Sequence, residues 1–337
     1  MSKLTIREIA RLAEVSVSTV SRVINDMPDV NAKTRERVNS LIDEHGYVPN
    51  ASARTLKQNQ TNIICIIVKG IHNPFFAPIV ENIQQEIVKT KYIPVVHYID
   101  ESSDEVGAAS QLLIEKKAVG LVFLGGNPTS KARAVSKFKV PCVLSTMTQR
   151  SQELKNVSSV CVDDFKAAGS AVRYLTDRGH RSIAILGGRR MDRDLVWNRY
   201  NGAVKAMEEK GFSFDEENYL ESKFSLEDSY RATGEALASD AHRFTAIFAM
   251  SDIMAIGAMK AIHDAGLNVP GDISVIGFDG IRIGQYFDPS LTTVRQPYEE
   301  IAVRSTKLLV DNIEGRDTGR NIVLDTLIIE GDSVRSV

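Results

Sequence analysis

The sequence predicts two kinds of structure in one chain: a small all-α helix-turn-helix headpiece, then a larger α/β core of two lobes with parallel, doubly wound sheets. Three observations predict it. Two short amphipathic helical patterns separated by a polar break occupy residues 5–25. From residue 62 the texture changes to short β-branched apolar runs alternating with helical patterns. These units number about eight, too many for one small doubly wound domain.

The first helix starts at a capping box, Thr5 with Glu8, and carries Ile6, Ile9, Ala10 and Ala13 on one side. Ser16 can cap a second helix in which Val20, Val23 and Ile24 share a face. At about 100° per residue, Ser18, Ser21, Arg22 and Asn25 then fall on the opposite face. A row of short hydrogen-bonding side chains on the second helix suits contact with base edges and phosphates in a major groove. Asn31 caps a third helix with Val38, Leu41, Ile42 and His45 at helical spacing, and Gly46 ends it.

With these residues the chain resembles the lactose/galactose repressor family of bacterial transcription regulators. The resemblance is carried by Val15-Ser-Val-Ser-Thr-Val-Ser-Arg-Val-Ile-Asn25, by Val30-Asn31 with Thr34, by Gly46-Tyr-Val-Pro-Asn50, and by Ala53 to Leu56. Two positions depart from the family pattern. Glu14 stands at a turn position often held by glycine, and Val17 where several members have a polar or aromatic side chain. The resemblance implies DNA contacts from Ser16, Val17, Ser18, Thr19, Ser21, Arg22 and Asn25, with Thr5, Asn31, Thr34, Tyr47 and Asn50 completing the set. It also implies a hinge helix in the polar stretch after Pro49, pairing with its dimer mate and wedging Leu56, with Ala53 beside it, into the minor groove. So short a helix is marginal alone in water. The expected division is 1–48 for the headpiece, 49–60 for the hinge and 61–332 for an effector-binding and dimerisation core.

Composition bounds the function. The chain has 337 residues, 43% hydrophobic and 25% charged, as expected of a soluble globular protein of two or three domains. Its three cysteines, Cys65, Cys142 and Cys161, fit reduced, buried thiols of a cytoplasmic protein better than a disulfide framework or a metal site. No apolar leader precedes the first helix, and no apolar run approaches the roughly 18 residues of a bilayer span. The net charge of −2 hides a division: residues 1–60 hold nine Lys/Arg against seven Asp/Glu, so the excess of acid lies in the core. Affinity for phosphate then leans on placement, two copies per complex and helix N-termini.

In the core, strands are expected at 63–68, 93–98, 120–125, 141–145, 157–162, 183–187, 246–250 and 273–278. Helices are expected near 75–90, 104–117, 129–138, 164–178, 195–210, 226–239, 252–265 and 298–313. Continuous apolar strands separated by helices indicate parallel sheets covered on both faces. Ligands in such sheets bind beyond the strands' carboxyl ends. There stand Asn73 and Phe75, the 187–199 segment with Trp197 and Arg199, Ser251-Asp252, and Asp279, beside the paired acids Asp163-Asp164. Aromatic rings beside Arg and Asp suit a polyhydroxylated ligand. The family resemblance, which extends to about residue 332, implies a periplasmic-binding-protein-like core with crossovers between lobes. It places effector contacts on Phe75, Arg199 and Asp279; Asn73, Asp163, Trp197 and Ser251 complete the candidate set. It also reads 291–297 as a return strand ahead of a surface helix.

The leading expectation is a sequence-specific repressor, acting as a homodimer on a palindromic duplex operator and controlled by a small effector, a sugar or sugar phosphate. An alternative, implied by one branch of the resembled family, is a regulator with a phosphocarrier-protein corepressor docking partly on the surface helix, where this chain departs from that branch in having Lys307 for Arg and Glu299 for Tyr. A sugar-binding receptor without DNA function is a second class, which predicts a leader and no headpiece. No dinucleotide fingerprint, P-loop or nucleophile-base-acid set stands in motif context, so no enzyme, cofactor or metal is expected. The chain carries no leucine-heptad tail before Val337, which favours a dimer over a tetramer.

Overall fold

Ile9, Ala10 and Ala13, one helical turn apart, meet Val20, Val23 and Val38 in a small apolar core that joins three helices, α1 (Ile6–Leu12), α2 (Val17–Ile24) and α3 (Ala32–Glu44). The computed structural model describes residues 4–24, 26–47, 61–70, 73–149, 154–190, 195–239, 244–317 and 319–337. It separates into two units, Met1–Thr61 and Asn62–Val337. Asn25 and the expected hinge, with Asn50, Ala53 and Leu56, lie outside the described residues.

The headpiece follows its local chemistry. Glu8 accepts from the Thr5 amide at 2.6 Å and from its hydroxyl at 2.9 Å, which holds the Glu8 carboxyl below its ordinary range. Ser16 Oγ accepts from the Thr19 amide at 3.1 Å and caps α2; Asn31 Oδ1 accepts from the Lys33 amide at 2.9 Å and caps α3. One inward expectation fails. His45 is exposed, because α3 ends at Glu44 and Gly46 turns the chain away at φ +55°. The turn between α1 and α2 puts Glu14 at φ +52°, a left-handed conformation that glycine adopts without cost.

The core has two six-stranded sheets. The first lobe is built from β1 (Ile63–Lys69), α4 (Phe76–Val88), β2 (Ile93–Ile99), α5 (Glu105–Glu115), β3 (Gly120–Leu124), α6 (Ala132–Val135), β4 (Cys142–Ser145) and β5 (Val157–Val162). The chain then passes through α7 (Asp164–Thr176) into the second lobe. That lobe holds β6 (Ile183–Gly187), α8 (Leu195–Glu209), β7 (Tyr219–Glu221), α9 (Leu226–Ala238), β8 (Ala246–Ala249), α10 (Asp252–Asp264), β9 (Ser274–Asp279) and β10 (Thr292–Arg295). It returns through α11 (Tyr298–Ile313) to β11 (Asn321–Leu324) in the first sheet and crosses once more to β12 (Leu327–Ile329) in the second. The strand orders are β11-β5-β4-β3-β1-β2 and β12-β10-β9-β8-β6-β7. Among the described residues every strand pairing is parallel except β10 with β12.

Alternation along β1 shows why the strands read as unbroken apolar runs. Ile64, Ile66 and Val68 enter one apolar cluster of the first lobe, Cys65 and Ile67 the other, so both faces are covered. All three cysteines are buried and unbridged, and burial pushes the Cys65 thiol up to about 11 and the Cys142 thiol to about 12.

The eight expected strands are present to within a residue or so at each end, and β10 is the expected return strand. Strands β7, β11 and β12 are additions of three or four residues, too short to show a period. The helix expected at 129–138 is a correction: Pro128–Lys131 forms a 3-10 turn and only one α-turn follows, because Lys131 leaves the helical region at φ −112°, ψ 42°. Among the described residues no helix is long and apolar enough to cross a membrane.

Candidate DNA-reading face and effector cleft

Helix α2 buries Val20 and Val23 and turns Ser16, Val17, Ser18 and Arg22 outward; Val17 is 40% exposed. Thr19 and Ser21 sit half-buried at the border of that face. The hydroxyls are linked before any partner arrives, Ser16 Oγ lying 2.7 Å from Ser18 Oγ and 2.8 Å from Thr19 Oγ1. The Arg22 guanidinium reaches Asp29 at 3.2 Å across the exposed surface. Thr5 and Asn31 are exposed caps, and Thr34 is half-buried on α3. Tyr47 packs part of its ring against the headpiece core.

In the core, several strand exits converge around Arg199. This residue is 3% exposed on the inner side of α8. Its Nε donates to Asp164 Oδ1 at 2.8 Å, its Nη1 donates to the Met250 carbonyl and lies 4.0 Å from Asp279 Oδ1, and its guanidinium stacks 3.6 Å from the centre of the Phe278 ring. Asp279, 2% exposed, ends β9 with φ +119°, outside the usual range for an L-residue. It accepts from Gln296 Nε2 at 2.8 Å and from Asn73 Nδ2 of the first lobe at 3.3 Å. Burial outweighs these partners and pushes its carboxyl up to about 6. Asn73 Oδ1 in turn accepts from the Phe75 amide at 3.0 Å, and the Phe75 ring is buried 5.5 Å from that of Phe76.

Three candidates are placed differently. Asp163 does not join the cluster: as N-cap of α7 it accepts from the Lys166 amide at 3.1 Å, and its neighbour Asp164, one residue further into the helix, faces Arg199. Trp197 is 46% exposed, 6.4 Å from the Tyr200 ring; two positions along a helix are about 200° apart, so it leaves α8 on a different side from Arg199. Ser251 is buried and caps α10, its hydroxyl accepting from the Met254 amide at 3.4 Å.

Sequence reading passed over Gln296 and the pair Lys69–Glu105, 2.7 Å apart at the exits of the first lobe. A polar residue directly after a buried strand was the available signal for Gln296. As the first residue of α10 and at a strand exit, Asp252 is placed by sequence to serve as a helix-start acid or a ligand contact. The structure gives it neither task among the described contacts: fully buried, it accepts from the Ile281 amide at 2.7 Å and from the Thr293 hydroxyl.

A three-helix headpiece joined in sequence to a two-lobed α/β core with charged groups at its strand exits is the combination that defines a transcription regulator. Comparison with known proteins agrees. The model for bacterial regulatory proteins of the lacI family matches residues 5–50, and that for a periplasmic binding protein-like domain matches 172–334. The HTH-type transcriptional regulator MalR of Clostridium butyricum is 40% identical over 98% of this chain and 99% of its own. Among solved structures, the Lac repressor dimer bound to operator and the anti-inducer ONPF has a TM-score of 0.84 at 25% identity, covering 99% of this chain and 100% of that one. The transcriptional regulator CelR in complex with cellobiose has a TM-score of 0.72 at 28% identity, covering 98% and 100%. The chain belongs to the lacI family of bacterial regulatory proteins and is a DNA-binding transcription regulator.

Proposed function

We propose that the protein is a cytoplasmic, homodimeric repressor that reads a palindromic duplex operator through α2 and answers to a small carbohydrate effector held between the lobes. The observation that carries the effector reading is Arg199 set between Asp164 and Asp279, with Asp279 also bonded to Asn73 of the opposite lobe. Hydroxyls bind bidentately to such groups, and a ligand that competes for Asp279 changes the contact between lobes. Each described cation of this cluster has an acidic partner, Arg199 with Asp164 and Lys69 with Glu105, which supports a neutral sugar over a sugar phosphate.

The DNA contacts proposed for α2, for Thr5, Asn31, Thr34 and Tyr47, and for Asn25, Asn50, Ala53 and Leu56 rest on the reading face and the family pattern. The division into headpiece to residue 48, hinge to 60 and core to 332 is proposed on the same basis. For the dimer, the turn after β9 offers Ile283, Tyr286 and Phe287 to solvent, Tyr286 82% exposed, an apolar patch of the kind that a second copy covers. No catalytic step is proposed. The phosphocarrier alternative is weaker, since on α11 Lys307 pairs with Asp311 at 3.3 Å and Glu299 with Arg295 at 3.1 Å.

The test has two parts. Selection from random duplexes should return an inverted repeat bound with a strong salt dependence. A thermal-shift panel of neutral mono- and disaccharides, sugar phosphates and nucleobases should then show a shift with a neutral sugar, and that sugar should change operator affinity. Stabilisation by sugar phosphates alone would overturn the neutral-sugar reading. Failure to enrich any duplex at low salt would overturn the operator reading.

A further inference from the structure

We propose that Asp252 is a positioning residue that ties the cleft acid Asp279 to the apolar contact holding the two lobes together. The proposal rests on the reading of Asp279 as an effector contact, and extends it to the transmission of that contact.

The turn that leaves β9 carries both ends of the link. Asp279 at φ +119° is strained, and Gly280 after it takes φ +77°, which glycine adopts without cost, so the turn needs an external brace at its acid. Asp252, from the first turn of α10, supplies it: its Oδ2 accepts from the Ile281 amide at 2.7 Å and its Oδ1 accepts from the Thr293 hydroxyl on β10. The carboxylate lies so close beneath β9 that a Cβ built on Gly277 would stand 2.2 Å from Asp252 Oδ1, so glycine is required there for the brace to fit. Two residues from Asp279, the Ile281 side chain is buried in the apolar cluster of the first lobe, among residues that include Phe75 and Ile79; Ile256 of α10 joins the same cluster. One buried side chain thus fixes a short rigid segment whose one end faces Arg199 and Asn73 and whose other end plugs the opposite lobe. A ligand that draws Asp279 away from Asn73 moves Ile281 with it. Burial and the nearby Asp279 push the Asp252 carboxyl well above its usual range, against the hydrogen bonds from Thr293 and Ile281 that favour its charged form.

The test is amide hydrogen exchange on the full chain without ligand, comparing wild type with Asp252→Ala, Asp252→Asn and Ile281→Ala. In Asp252→Ala, protection should fall at least tenfold at the Ile281 amide and over Phe75–Ile79 of the first lobe, while β6 and β8 of the second lobe hold theirs. Ile281→Ala should loosen Phe75–Ile79 alike. Asp252→Asn keeps an oxygen for the Ile281 amide and offers its NH2 to Thr293, so it should retain protection within about threefold, a rescue that a volume effect would not predict. Unchanged exchange at Phe75–Ile79 in Asp252→Ala, an equal loss across β6 and β8, or an Asn variant as loose as the Ala variant would each overturn the proposal. Because no effector enters these measurements, they can fail while the effector reading stands, and the sugar panel can fail while the brace stands.

Discussion

Asn73 donates to Asp279 at 3.3 Å although 206 positions separate them in the chain, and the bond joins the loop after β1 in one lobe to the end of β9 in the other. The acid at its far end is shared with Gln296 and lies 4.0 Å from Arg199, so the contact between lobes and the candidate ligand contacts draw on one carboxylate. Any ligand that satisfies Asp279 differently changes the energy of this contact between lobes, which is the differential interaction that a coupled response requires.

Arg199→Ala is expected to abolish the response to effector while operator binding is retained. It also leaves Asp164 and Asp279 facing each other without their cation, both nearly buried, and breaking such a set costs about 3–5 kcal/mol. Urea denaturation followed by Trp197 fluorescence reads the stability loss, and operator titration with and without sugar reads the response. Normal induction in a folded variant would remove Arg199 from the site.

The pH dependence has a definite sign. Asp279 titrates at about 6 in the folded chain against 3.8 for an unperturbed carboxyl, facing Arg199, Asp164, Asp252, Gln296 and Asn73. Between those values the native state holds a proton that the unfolded state has lost, so this group's contribution to stability falls as pH rises through the window and is most favourable below it. The difference in urea midpoint between wild type and Asp279→Asn should therefore move in favour of wild type as pH is lowered from 7 towards 4.5. A difference independent of pH would show that Asp279 is not the buried, raised acid described.

Much of this was legible in the sequence because it follows from local rules. Thr5 with Glu8, Ser16 and Asn31 announce three helix starts through hydrogen bonds made within three residues. The buried strands showed themselves by unbroken β-branched runs. What stayed hidden depends on distant partners. Nothing near Asp163-Asp164 says which acid turns inward; that is decided by where α8 brings Arg199. Asp252 looks like a helix-start acid until β9 and β10 close over it, and Ser251 proves to be the cap. Trp197 suggests a sugar-stacking ring by composition, but its helical phase relative to Arg199 decides its placement.

Close packing of α7 on α8 gives a prediction independent of any ligand. A Cβ on Gly202 would lie 2.0 Å from the backbone oxygen of Phe165, and backbone cannot swing aside as a long side chain does. Gly202→Ala should cost at least the 1–3 kcal/mol typical of overpacking, measured by the urea midpoint of the core. Gly234→Ala, where nothing stands within 4 Å, is the control and should stabilise slightly, because alanine is the better helix former by about 1 kcal/mol.

On the reading helix, Arg22 is held by Asp29 at 3.2 Å, both more than half exposed, so the pair contributes little to folding and is open to exchange for a base or phosphate. Arg22→Ala should weaken operator binding by about 1–3 kcal/mol, with the headpiece still folded, since the Arg22 side chain is exposed. Asp29→Asn should act in the opposite direction: it frees the guanidinium and removes a negative charge that would repel phosphates brought to Arg22. The gain should be several-fold at low salt and shrink as salt screens both partners. Fluorescence anisotropy on the selected duplex at two salt concentrations checks both. If Asp29→Asn instead lowered affinity as far as Arg22→Ala does, Asp29 would be holding Arg22 in its reading position, and the competition between carboxylate and DNA would be discarded.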